Sequence, residues 1–171
     1  MSSVEDLEAE VERLRKLLIN IGNSKAAEDM GRGVDNAEKA LKHANADFRA
    51  ASTEAQRTLD AWQDAIEKQR TALEALLDDP TDANVRAEEV AGNKCAQALA
   101  AKDKAKDELE EAEKGLAKAK KDLEAANERD TKFFAMMERV RKLQDEAKSN
   151  LNAALKSNKD AKPILAKVNK L

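Results

Sequence analysis

Asp78-Asp79-Pro80-Thr81-Asp82 decides the fold. Proline cannot continue a helix and pushes the residue before it out of the helical region, yet it suits the start of a following helix. Thr81 and Asp82 both carry side-chain oxygens that cap such a start. The stop falls near the middle of the chain, between two long stretches that read as helix.

Working back from the stop, apolar residues recur in steps of three and four. Val34, Ala37, Leu41, Ala44, Phe48, Ala51 and Ala55 keep the spacing, and Leu59, Trp62, Ile66, Leu73 and Leu77 continue it after a small phase shift. Working forward, the same spacing runs through Val85, Ala91, Cys95, Ala98, Ala105, Leu109, Ala112, Leu116, Ala119, Leu123 and Ala126. It then extends through Phe133, Met137, Val140, Ala147, Leu151 and Ala154. A seam with a seven-residue repeat makes helices pair as a coiled coil. Folding back at the turn pairs positions whose numbers sum to roughly 160, which sets large residues against small ones. Phe48 then faces Ala112, Leu41 faces Ala119 and Val34 faces Ala126. Each arm would reach about 75 residues, or roughly 110 Å at the helical rise.

The N-terminal segment carries the cleanest seam: Val4, Leu7, Val11, Leu14, Leu18 and Ile21. Ser2 or Ser3 can cap it, and Glu5, Asp6 and Glu8 suit the positive end of the helix dipole. These six apolar residues are a candidate oligomerisation seam, available to a copy in another chain. Glycines at 22, 31 and 33 follow, each costing about 1 kcal/mol inside a helix, and residues 22–33 are expected to form a loop or a bend. The expected fold is therefore all-α: a long antiparallel helical hairpin of the coiled-coil kind, or a three-helix bundle if residues 22–33 are a loop. A single elongated hairpin is expected over residues 1–163, with arms at about 2–78 and 83–160 and the turn at 78–82. A short basic amphipathic tail takes residues 164–171.

Composition agrees. Charged residues make up 38% of the 171 and aromatics 2%, with two prolines and five glycines. That is long-helix composition, with alanine in place of the bulky residues that fill a thick core. The net charge of −3 comes from 31 basic and 34 acidic side chains. Because the two signs are interspersed, no nucleic-acid partner is expected. No apolar run reaches the ~20 residues that span a bilayer. The acidic, heptad-patterned start is unlike a signal peptide, so a cytoplasmic or particle-associated location is expected, with leaderless secretion left open.

No residue set reads as an active site, and no enzyme activity, cofactor or metal is expected. His43, the one histidine, has Asp47 a turn away but no pocket or oxyanion donors, so it reads as a solvated helix residue. Cys95, the one thiol, falls on the seam and reads as a small core residue. The acidic run at 107–113 is interleaved with lysines and lacks a calcium loop. Gly31-Arg32-Gly33 lacks the Lys-Ser/Thr and the preceding strand of a phosphate loop.

Two segments read as candidate partner-binding sites. Phe133, Phe134, Met136 and Met137 are neighbours that cannot all face one seam, so Phe134 or Met136 should point outward. Ile164, Leu165, Val168 and Leu171 can form one helical face of a tail in which lysines outnumber acids. Such a tail suits an acidic protein surface, an anionic membrane surface or its own bundle.

The outline resembles several groups of long helical hairpins: phage scaffolding proteins, coiled-coil domains of bacterial toxins and type III translocators, and phage-shock-type membrane-remodelling proteins. The resemblance covers most of the chain and implies no particular functional residue. The leading expectation is a structural or assembly rod that binds protein partners and self-associates, as a scaffolding or virion-type component does. A binding rod of a secreted bacterial effector, translocator or bacteriocin is the alternative, and a membrane-remodelling hairpin is the third.

Overall fold

The computed structural model describes residues 3–157. These form three helices, α1 (Val4–Gly22), α2 (Lys25–Asp78) and α3 (Asp82–Ser157), with no strand among the described residues. The fold is an all-α helical hairpin. Ile164, Leu165, Val168 and Leu171 lie outside the described residues.

Local chemistry explains each boundary. Ser3 caps α1 in a capping box: its hydroxyl accepts from the Asp6 N–H at 3.1 Å, and the Asp6 carboxylate accepts from the Ser3 N–H at 3.0 Å. That satisfies two of the donors a helix start leaves unpaired. The expected loop at 22–33 is only a two-residue break at Asn23 and Ser24. There the Ser24 hydroxyl donates to the Ile21 carbonyl at 2.7 Å and accepts from the Ala27 N–H at 3.2 Å, serving the end of α1 and the start of α2 together. Gly31 and Gly33 sit inside α2, and no glycine has positive φ among the described residues. Two glycines cost about 2 kcal/mol in a helix interior, and in α2 the helical register runs through them. With no loop at 22–33, the condition for a three-helix bundle is not met.

The turn follows its sequence signal, with one addition. Thr81 caps α3, its carbonyl accepting from the Val85 N–H at 3.0 Å and its hydroxyl from the Asn84 N–H at 3.4 Å. No glycine closes α2. Instead the Asn84 amide reaches back across the turn, donating to the Asp79 carbonyl at 2.7 Å and the Ala75 carbonyl at 3.3 Å. Each of these carbonyls also accepts a backbone N–H, Ala75 from Asp79 at 3.0 Å and Asp79 from Thr81 at 2.8 Å, so the Asn84 amide adds a second donor to each and ties the first turn of α3 to the end of α2. Residues 78–82 are all exposed.

The chain divides into two compact units. One takes the residues up to Asn36 and from Glu124 onward; the other is Ala37–Leu123. In the second unit, α2 and α3 run antiparallel from the turn. The Gln69 amide meets the Glu88 carboxylate at 3.5 Å, and the Cβ direction of Gly92 points at the Gln69 amide, 3.3 Å away. Inner-facing residues recur in alternating steps of four and three along α3 from position 84 to position 154, and along α2 from position 30 to position 76. One line of each seam is almost all alanine: Ala37, Ala44, Ala51, Ala65 and Ala72 on α2, and Ala91, Ala98, Ala105, Ala112 and Ala119 on α3. The buried residues of this unit are correspondingly small: Thr58, Ala65, Ala105 and Ala119.

The strict repeat corrects one part of the sequence reading. Past Ala55 the seam does not shift phase to take Ile66, Leu73 and Leu77. It continues through Thr58, Trp62, Ala65, Gln69, Ala72 and Leu76, leaving Ile66 40%, Leu73 45% and Leu77 74% exposed. Val85 likewise points outward, and Asn84 takes the inner position. A seven-residue repeat sustained on both sides holds the phase, so a locally more apolar neighbour does not capture the seam.

In the first unit the core is made of large residues. Val11 and Leu14 of α1 are buried in one cluster with Val140, Ala147, Leu151 and Leu155 of α3, and Val4, Leu7, Leu18 and Ile21 pack against it. The six-residue seam offered for pairing with another chain is thus turned onto α3 of its own chain. Each fully buried Val or Leu contributes about 1.5–3 kcal/mol by leaving water, against about 0.8 kcal/mol per methyl-sized group for an alanine.

Candidate protein-interaction site

Phe133, Phe134 and Met137 come together with Leu18 and Ile19 of α1 around an open groove of about 460 Å³, whose remaining lining is Glu138, Arg141 and Gln144. Phe133 and Met137 are half-buried seam positions, three and four steps along the α3 repeat from their neighbours. Phe134 follows Phe133 and is rotated about 100° from it, one residue's turn of an α-helix. It stands 60% exposed as one wall of the groove. The two rings meet edge to face, centroids 6.2 Å apart and planes at 74°, an arrangement favoured by the ring quadrupole. Glu138 and Arg141 pair at 3.7 Å on the rim, and the Gln144 side chain is buried beneath.

Met136 is absent from the groove lining and is exposed. It occupies the position that flanks the seam on the side opposite Phe134. Both residues point outward, where one was expected to. The sequence signal for the cluster was its density of large apolar residues. Its side of the helix follows only from the phase of the repeat.

The isolated reactive types fall as follows. His43 and Asp47 are exposed on α2. Cys95 is half-buried at an inner position of α3. The acidic run is laced by Lys104–Glu108 at 3.6 Å, Lys106–Glu110 at 3.9 Å and Lys114–Glu111 at 2.7 Å. The Glu111 carboxylate raises the Lys114 ammonium above its ordinary value by accepting its hydrogen bond. Similarly Arg13 holds Glu10, and Arg57 holds Glu54, below the usual carboxylate range. No cluster of three His, Cys, Asp or Glu able to hold a metal occurs among the described residues. No helix among them is long and apolar enough to cross a membrane.

One inner-facing polar pair went unforeseen. Lys102 takes an inner position of α3 and lays its ammonium 4.3 Å from the centroid of the Trp62 ring on α2. It also pairs with Asp103 at 3.1 Å. The charge is tolerated on the seam because the indole face attracts it while the aliphatic stem covers apolar surface.

No protein-family profile, curated protein or solved structure matches the chain.

Proposed function

We propose that this chain is a non-enzymatic structural or assembly protein that acts through helix-on-helix contact with protein partners, its own copies foremost. One observation carries the reading. The α3 repeat runs from position 84 to position 154 without a slip, while large apolar side chains such as Ile66, Leu73, Phe134 and Leu143 stand exposed beside the seam. A strict two-position seam serves a hairpin alone. Apolar residues added beside it are the pattern of helices that pack on further helices. Sedimentation velocity across a dilution series tests this. The expected result is a species heavier than the 18.8 kDa monomer that dissociates on dilution. A chain that stays monomeric at the highest concentrations refutes the self-association part.

The groove of Phe133, Phe134, Met137, Leu18 and Ile19 favours a second reading, a binding protein that docks a different partner, as a secreted effector, translocator or bacteriocin would. Aromatic and methionine side chains around an open cleft suit capture of an apolar helix face. Secretion and fractionation of the native chain separate the two readings, and material confined to the cytosol or to particles counts against this one.

A further inference from the structure

We propose that two copies of this chain pair through one flank of the second unit, forming a four-helix bundle with both turns at the same end. The proposal rests on the self-association reading and names the surface that would carry it.

In the seven-residue repeat the inner positions are a and d, and e is the flank next to a. In an antiparallel pair the two e rows lie side by side on one face. On α2 that row is Leu59, Ile66 and Leu73; on α3 it is Val85, Gly92 and Leu99. Ile66, Leu73, Val85 and Leu99 are all exposed. The apolar run stops on both helices at the same height, because the next e positions are Ser52 and Asn45 on α2 and Lys106 and Glu113 on α3. Over this stretch alone the pattern is a, d and e, the three-sevenths face of a bundle helix. The occupant is therefore helical and shares the repeat.

Three features select a second copy. First, the face complements itself. A two-fold axis parallel to the helices sets α2 of one protomer over α3 of its partner at equal height. Ile66 then lies level with the partner's Gly92, a position with no side chain of its own and with the Gln69 amide beside it, while Leu73 meets the partner's Val85 and Leu59 the partner's Leu99. Second, the rims are opposite in charge. Beyond e, the outer row on α2 holds Arg49, Gln56, Gln63 and Arg70, and that on α3 holds Glu89, Ala96, Asp103 and Glu110. The same axis brings Arg70 to the partner's Glu89 and Arg49 to the partner's Glu110. A two-fold across the helices would instead stack like rows on like and turn the arginines on one another, so charge selects turns at one end. Third, the fully buried residues of this unit are three alanines and a threonine, so the exposed aliphatic side chains of the e rows would gain further burial from a second layer.

Ile66→Asp and a charge swap test the proposal by sedimentation velocity, with circular dichroism as the folding control. Symmetry places each change in the interface twice, so Ile66→Asp should weaken the dimer at least about 100-fold at unchanged helix content. Arg70→Glu alone and Glu89→Arg alone should each weaken it about tenfold, and the double variant should restore it. Within one chain these two rows are the outer edges of the face, and the Arg70 contacts to Glu67 at 2.6 Å and Glu74 at 3.9 Å are not rebuilt by the swap. Rescue therefore reports pairing between copies. If Ile66→Asp loses helix content, the charge swap decides. Self-association that survives Ile66→Asp in a folded chain overturns this face and leaves the reading above standing. A parent chain that is monomeric throughout overturns both.

Discussion

Replacing Leu151 by alanine should destabilise the first unit far more than replacing Leu73 destabilises the second, although both are leucines on long helices. Leu151 is 1% exposed, at the centre of a cluster with Val11, Leu14, Val140 and Leu155. The change removes three carbons, worth about 0.8 kcal/mol each in lost transfer. The cavity it leaves brings the total to about 3–5 kcal/mol, as the neighbours collapse only in part. Leu73, nearly half exposed and outside the seam, should cost less than about 1 kcal/mol when the chain is dilute enough to be monomeric. Denaturation followed by circular dichroism gives both numbers. Hydrogen exchange then locates the loss: protection should fall in α1, whose buried side is this cluster, before it falls near the turn. If Leu73→Ala in the monomer costs as much as Leu151→Ala, the seam includes Leu73 and the assignment of inner positions on α2 is wrong.

Three further outcomes follow from particular contacts. Asn84→Ala removes the side-chain donor that the carbonyls of Ala75 and Asp79 accept beside their backbone partners and should cost up to about 1 kcal/mol, seen as faster exchange in the last turn of α2; unchanged exchange there would show that the backbone bonds and water hold the turn without it. Lys102→Ala removes the cation from the face of the chain's one tryptophan, so emission from Trp62 should shift and stability fall by about 1 kcal/mol, and an unaltered spectrum would mean the contact is not populated. Asp6 is held below its ordinary 3.8, first by the backbone N–H of Ser3 and then by the Ser3 hydroxyl. A depressed carboxylate stabilises the fold above its unfolded pKa and stops doing so as pH falls through the folded value. Protection in the first turn of α1 should therefore drop as pH is lowered from 5 toward 3 and be indifferent to that change in Asp6→Asn, and equal pH dependence in the two chains would remove the capping box as its cause.

Period and punctuation made most of this fold legible. The stop at Pro80, the antiparallel arms and the fold-back register all follow from features that act over one or two helical turns. What the sequence hid were cases where distant context overrules a local preference. At positions 65 and 66, and again at 72 and 73, hydrophobicity favours Ile66 and Leu73 for the seam, but the repeat fixed by Phe48 and Ala55 before them selects the alanines. Gly31 and Gly33 predict a break, yet they carry helical φ in a helix that continues for more than forty residues beyond them. Asn84 was invisible as a cap because its acceptors lie five and nine residues back, outside any local capping pattern. The Phe-Met cluster was legible as a site, but the company of Leu18 and Ile19 was not, because Leu18 reads as part of a seam for another chain and Ile19 falls outside that seam's spacing.

The two units differ in what they need from outside. The first closes over Val11, Leu14, Leu151 and Leu155 and so has a core of large residues within the chain, although Ile19, Phe134, Met136 and Leu143 stay exposed beside it. The second buries alanine and threonine and leaves Ile66, Leu73, Leu77, Val85 and Leu99 in water. Alanine seams let helices approach closely and gain dispersion contact, but they release little apolar area from water, so such a pair stands near the margin without another layer. A substitution that cripples the first unit should therefore act at any dilution, as a loss internal to one chain. One that cripples the second should show its full cost only where association does, with an unfolding midpoint that moves with protein concentration. That concentration dependence separates stability built into the chain from stability obtained by assembly. A midpoint independent of concentration in the parent chain would mean that the alanine seam suffices alone, and that the exposed aliphatic rows beside it have no part in holding the molecule together.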